Sequence, residues 1–145
     1  MVKVKICGIT NQEDAEAAVE LGADALGFIF AKGLRQVNVE KVLKITENLP
    51  PFVVKIGVFV NEIPWVVQRV FKEGNLSAVQ LHGEELPDVC QELYPIPIIK
   101  TLRVREEKDV KTLTAYPPIS AFLLDSYVEA KPGGTGKTFP WKWAN

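Results

Sequence analysis

Cys7 and Asp125 are the two side chains best equipped and best placed for chemistry. Cys7 closes the run Lys3-Val4-Lys5-Ile6-Cys7 and is followed at once by Gly8-Ile9-Thr10 and a helix-start signal; Asp125 closes Ala121-Phe122-Leu123-Leu124. Enzymes built on parallel strands keep their chemistry at the C-terminal strand tips. A thiolate there can take a proton and a carboxylic acid can give one, so the pair reads as a general base and a general acid. Each has a plainer reading: cysteine often packs as a small hydrophobe, and an aspartate can simply cap a loop. Position favours the chemical reading. Helix N-termini favour thiolates, and an apolar strand end desolvates a carboxyl group in the way a proton donor needs.

Other residues carry weaker signals. Arg35 lies in the segment Ala31-Lys32-Gly33-Leu34-Arg35 and offers the planar fork that grips a carboxylate at two points, although a loop arginine can also be plain solvated charge. His82 is the single histidine and sits at a strand tip beside Gly83; it can face a substrate or make a structural hydrogen bond. One histidine cannot build a multi-histidine metal site. Lys100, inside the fifth strand, is a lesser candidate to reach the pocket mouth. Cys90 shares a helix face with Leu86, Val89 and Leu93 and reads as core. The stretch Gly133-Gly134-Thr135-Gly136-Lys137-Thr138 resembles a phosphate loop, but the pattern needs a glycine where Lys131 stands. A glycine loop that closes over substrate and excludes water fits better.

Parallel strands must present these tips. Near-continuous apolar runs predict strands at Val2–Cys7, Ala25–Phe30, Val53–Val60, Ala78–His82, Ile96–Leu102 and Ala121–Asp125. Helix patterns alternate with them. Thr10 and Glu13 suggest a capping box before the first helix, Asn38 and Asn61 suggest caps for the next two, and Glu84-Glu85 suggest an acidic start for the fourth. The strand ends Cys7, Phe30, Val60, His82, Leu102 and Asp125 are 23, 30, 22, 20 and 23 residues apart, the period of a repeated βα unit. Six such units fit either an open doubly wound sheet or six-eighths of a barrel.

Composition narrows the function classes. The chain has 145 residues, 47% of them hydrophobic and 24% charged, with a net charge of -1: one packed domain over residues 1–145, with no basic block for nucleic acid. No apolar run is long enough for a membrane span. Two cysteines and a start without signal-peptide character fit reduced thiols in a cytoplasm.

Taken together, the segments Lys5-Ile6-Cys7-Gly8-Ile9-Thr10, Gly22-Ala23-Asp24-Ala25-Leu26-Gly27-Phe28, Arg35, Gly57-Val58-Phe59-Val60-Asn61, Val79-Gln80-Leu81-His82-Gly83-Glu84, Leu124-Asp125 and Gly133-Gly134-Thr135-Gly136-Lys137-Thr138-Phe139 resemble the phosphoribosylanthranilate isomerase family of tryptophan biosynthesis along the whole chain. The resemblance implies a (βα)8 TIM barrel, here as six βα-type strands of an incomplete barrel. It implies an Amadori rearrangement of N-(5-phosphoribosyl)anthranilate with Cys7 as general base, Asp125 as general acid and Arg35 on the anthranilate carboxylate. His82, Gly133 and Gly134 join as substrate-binding residues. It implies no cofactor and no metal. Two departures stand out: the family's seventh and eighth strands, whose loops bind the phosphate, have no counterpart, and the Arg35 loop is about one residue short, with Gln36 where an aromatic is common.

The expectation is therefore a small-molecule isomerase that ends after its sixth strand. Such a piece would self-associate as a homo-oligomer or pair with a missing C-terminal segment, and would turn over substrate poorly alone. Two other readings are a doubly wound binding module and an inactive barrel fragment acting as a partner surface. An acidic cluster or a phosphate loop would mark the binding module at the first strand's end, where Cys7-Gly8-Ile9-Thr10 stands instead.

Overall fold

The computed structural model describes residues 2–126 and 138–144. Six strands, β1 (Lys5–Cys7), β2 (Ala25–Ile29), β3 (Val54–Phe59), β4 (Ala78–Leu81), β5 (Ile98–Val104) and β6 (Ala121–Ser126), alternate with five helices, α1 (Gln12–Glu20), α2 (Val39–Thr46), α3 (Pro64–Glu73), α4 (Pro87–Glu92) and α5 (Glu107–Lys111). Two short 3-10 turns follow, at Thr112–Ala115 and Trp141–Ala144. The expected strands are all present, with ends displaced by up to three residues.

The strand order settles the choice that spacing left open. The sheet runs β1-β2-β3-β4-β5-β6, each strand parallel to its neighbour in sequence. A doubly wound sheet reverses order at a switch point. Here there is none, so every crossover falls on the same side and the sheet curls as part of a barrel.

Register assigns each residue to a face. Lys5, Cys7, Ala25, Gly27, Ile56, Val58, Ala78, Gln80, Ile99, Thr101, Leu123 and Asp125 align across the strands on the face turned away from the helices. The opposite face supplies Leu26, Phe28, Phe59, Val79, Leu81 and Ile98 to the main core, where they meet Ala15 of α1, Val42 and Ile45 of α2, Val67 and Val70 of α3 and Cys90 of α4. Cys90 is 2% exposed, as a core residue should be. A smaller apolar cluster, Ala25, Ile56 and Ala78 with Ile99, fills the floor of the inner face.

Three cap expectations shift. The N-cap of α1 is Asn11, not Thr10: Asn11 Oδ1 accepts from the Asp14 amide at 2.7 Å. Asn38 caps α2 as expected, accepting from the Lys41 amide at 2.9 Å. Asn61 caps nothing. The third helix starts at Pro64, which presets its first turn, and Asn61 instead sits in the left-handed region (φ 51°), its side chain accepting from the Glu84 amide at 2.7 Å. Glu84 and Glu85 likewise precede α4 rather than open it, because Pro87 takes the first helical position.

Candidate active site

The site begins with the thiol. Cys7 is exposed at the tip of β1, and two glycines make room around it. A Cβ on Gly27, the neighbour across β2, would stand 2.7 Å from Cys7 Sγ, so only a residue without a side chain lets the sulfur lie over that strand. Gly8 takes a φ of 87°, a conformation open to glycine and costly for other residues. The turn brings its amide and that of Ile9 onto Gly27 O at 2.8 and 3.1 Å.

Arg35 folds back over this turn. Its Nη1 donates to Cys7 O at 3.4 Å, and a Cβ on Gly8 would meet that nitrogen at 2.7 Å. The loop before it is closed by Gln36, whose side chain donates to Phe30 O at 2.9 Å, and by the Val37 amide on Ile29 O at 2.9 Å. The polar residue at position 36 therefore has a structural task. Arg35 remains exposed, its guanidinium against the backbone of the residue that carries the thiol.

From the thiol a row of polar side chains crosses the inner face to the carboxyl group. Lys5 Nζ lies 3.8 Å from Cys7 Sγ and donates to Gln80 Oε1. Gln80 Nε2 lies 2.8 Å from His82 Nδ1 and donates to Thr101 Oγ1 at 3.2 Å. His82 Nε2 lies 3.6 Å from Asp125 Oδ2, in range for a charge pair but too long for a hydrogen bond. That carboxyl oxygen is buried and has no hydrogen-bond partner among the described residues. Burial pushes the His82 imidazole below its ordinary range, Asp125 opposes this, and the cations Arg103, Lys5 and Lys100 reinforce it. The ring is therefore neutral near pH 7.

Cys7, Arg35, His82 and Asp125 thus gather at one mouth. Gly133 and Gly134 lie outside the described residues. Lys100 does not reach that mouth. It alternates with Ile99 and Thr101 and so faces the helices, where its side chain is 3% exposed and pairs with Glu85 at 2.9 Å. The pair is fully dressed: Glu85 accepts from the amides of Asn61 (2.8 Å) and Gly83 (3.0 Å), and Lys100 also donates to the carbonyls of Gly83 (2.8 Å) and Thr101 (2.9 Å). It clamps the turns after β3 and β4 and so fixes the backbone that carries His82. Lys5, Gln80 and Thr101 are the inner-face residues that sequence reasoning passed over. Their signal was period two: Lys5/Cys7 and Gln80/His82 sit at i and i+2 in otherwise apolar runs.

Among the described residues no group of three His, Cys, Asp or Glu could hold a metal ion, and no helix is long and apolar enough to cross a membrane.

Comparison with known proteins agrees with this geometry. A family model for N-(5'-phosphoribosyl)anthranilate (PRA) isomerase matches residues 4–145. The isomerase of Pelobacter propionicus is 49% identical over 142 residues, which cover 97% of this chain and 67% of the relative. That of Thermotoga neapolitana is 48% identical, over 97% of this chain and 69% of the relative. The crystal structure of the Thermotoga maritima enzyme superimposes with a TM-score of 0.86 at 44% identity, over 99% of this chain and 70% of that one. A phosphoribosylanthranilate isomerase in complex with reduced 1-(o-carboxyphenylamino)-1-deoxyribulose 5-phosphate superimposes at 0.82 with 46% identity, over 88% and 66%. A TIM-barrel frame, a thiol and a carboxyl group at one rim, and a family match over nearly the whole length agree: the chain belongs to the phosphoribosylanthranilate isomerase family, the isomerases of tryptophan biosynthesis.

Proposed function

We propose that this cleft converts N-(5-phosphoribosyl)anthranilate to 1-(2-carboxyphenylamino)-1-deoxyribulose 5-phosphate, with Asp125 as acid and Cys7 as base. Asp125 gives its proton to the furanose oxygen. The C1–O bond breaks, the anthranilate nitrogen shares its lone pair with C1, and an iminium forms. The Cys7 thiolate then takes the C2 proton, and the electrons of that bond neutralise the iminium and leave an enolamine, which tautomerises to the ketose. One proton is given and one taken, atoms and electrons balance, and no redox partner or cofactor is required. Arg35 holds the anthranilate carboxylate as a two-point fork, and His82 borders the acid.

The continuous polar row from Cys7 to Asp125 on an otherwise apolar inner face carries this reading. Its test is turnover of freshly made phosphoribosylanthranilate by this chain and by residues 1–145 joined to the C-terminal third of the Pelobacter propionicus relative. In whichever form is active, Cys7→Ser and Asp125→Asn each lower kcat at least 100-fold, the scale of a lost acid or base. A loss below threefold in either variant sinks the assignment. Arg35→Lys raises KM with a smaller change in kcat.

A Thermotoga maritima relative is described as dimeric. Among the described residues β1 and β6 are the outer strands of the sheet, and their outer edges offer surfaces on which a second copy can dock. Sedimentation at micromolar concentration tests that, and a monomer mass throughout rejects it.

A further inference from the structure

We propose that Gln80 is a positioning residue that fixes the tautomer of His82, so that the ring presents its Nε2–H to Asp125 and the acid's transferable proton is left on Oδ1. The inference rests on Asp125 being the proton donor, but its central step concerns only the described side chains.

Lys5 sets the orientation of the row, because an ammonium group can only donate. Its contact with Gln80 therefore identifies the amide oxygen, and Gln80 is not free to turn over. With Oε1 held by Lys5, the amide nitrogen must face the other way, toward His82 Nδ1 at 2.8 Å and Thr101 Oγ1 at 3.2 Å. An amide NH2 can only donate. Nδ1 of a neutral ring must then be the acceptor, and the ring proton must sit on Nε2. Thr101 Oγ1, 3.4 Å from the same Nδ1, is a hydroxyl and accommodates this. Gln80 is itself 2% exposed, so water does not compete for either end of its amide.

The consequence appears at the far end of the row. His82 Nε2 faces Asp125 Oδ2, the buried carboxyl oxygen without a hydrogen-bond partner among the described residues. A small side-chain adjustment brings the N–H within bonding range. A carboxylic acid whose Oδ2 faces a donor carries its own proton on the other oxygen. The opposite tautomer would put a lone pair against Oδ2 and draw that proton into the pair, away from the sugar. Gln80 thus decides which oxygen of the acid is left to carry the proton, although it does not touch the acid.

His82 is the single histidine, so its two ring nitrogens can be read without ambiguity. The experiment is a long-range 1H–15N correlation spectrum of the uniformly 15N-labelled 145-residue chain at pH 7.5. The expected result is the neutral Nε2–H tautomer; a wild-type Nδ1–H tautomer overturns the proposal outright. Gln80→Glu keeps size and the contact with Lys5 but offers His82 an acceptor, so the ring shifts to Nδ1–H or to the doubly protonated form. An unchanged Nε2–H ring in Gln80→Glu overturns the role of Gln80. If that variant does not fold, Lys5→Met answers in its place: releasing the amide averages the two nitrogen shifts, and unaltered shifts again overturn the proposal. Because the spectrum is independent of turnover, a failed acid assignment for Asp125 and a failed tautomer relay give different results.

Discussion

The two sides of the cleft are built by opposite means. Around Cys7 the chain positions its reactive group by leaving atoms out: Gly27 clears the space under the sulfur and Gly8 allows the turn over which Arg35 folds. Around Asp125 it adds atoms, with Gln80, His82 and Thr101 filling the inner face and the Lys100–Glu85 pair bracing the turns from behind. The thiol side should therefore fail by intrusion and the carboxyl side by loss of partners.

The largest expected effect is on the carboxyl side. Lys100→Met leaves Glu85 charged and buried without its cation, a loss of about 3–5 kcal/mol for a broken buried pair, read as a fall in the urea midpoint. Replacing both partners, Lys100→Met with Glu85→Leu, should recover a good part of that loss, which separates burial of a lone charge from the worth of the pair. If Lys100→Met costs less than 1 kcal/mol, the clamp is not structural.

On the thiol side, Gly27→Ala inserts a methyl group where the sulfur and the Cys7 backbone already stand. An overpacked site costs about 1–3 kcal/mol, and the sulfur must rotate away. Alkylation of Cys7 by iodoacetamide should change in rate while Cys90, in the core, stays unreactive. Gly8→Ala forces a left-handed backbone on a residue with a side chain, about 1–2 kcal/mol, and displaces Arg35. It should weaken carboxylate binding more than it weakens the fold. If both alanine variants match wild type in stability and thiol reactivity, the contrast between the two sides collapses.

The smallest effect is electrostatic. The folded His82 binds its proton more weakly than the same ring in the unfolded chain, whose ordinary value is about 6.5. As pH falls below that value the unfolded chain takes up the proton first, so His82's share of stability is full above about 6.5 and declines in more acid solution. The urea midpoint should fall more between pH 7.5 and 5.5 in wild type than in His82→Gln. Equal falls would mean that the ring is not desolvated.

The strands were legible in the sequence because a parallel strand covered on both faces is mostly apolar, as β2 is; Val53–Val60 and Ala121–Leu124 carry the same apolar runs although Val54 and Phe122 are exposed. Cys7 and Asp125 stood out because they interrupt such runs toward the C-terminal ends of β1 and β6, where the structure places both. What escaped was whatever depends on contacts distant in sequence. Glu85 looks like the first acid of a helix until Lys100, fifteen residues on, is seen beneath it. Asn61 looks like a cap until its side chain is seen on the Glu84 amide, twenty-three residues away. Gln80 needs Lys5, seventy-five residues upstream. Period two could have put Lys5, Gln80 and Thr101 on the inner face, but only the register shows that they join.

A sheet whose strands lie side by side in the order of synthesis can be assembled as the polypeptide leaves the ribosome. Each new βα unit finds the pairing edge it needs already formed by the unit before it, and each step closes a segment of similar modest length, so the entropy lost per addition stays nearly constant. The acid arrives on the sixth strand, after the thiol, the arginine and the histidine have been laid down. Asp125 therefore joins a template that earlier residues have already shaped.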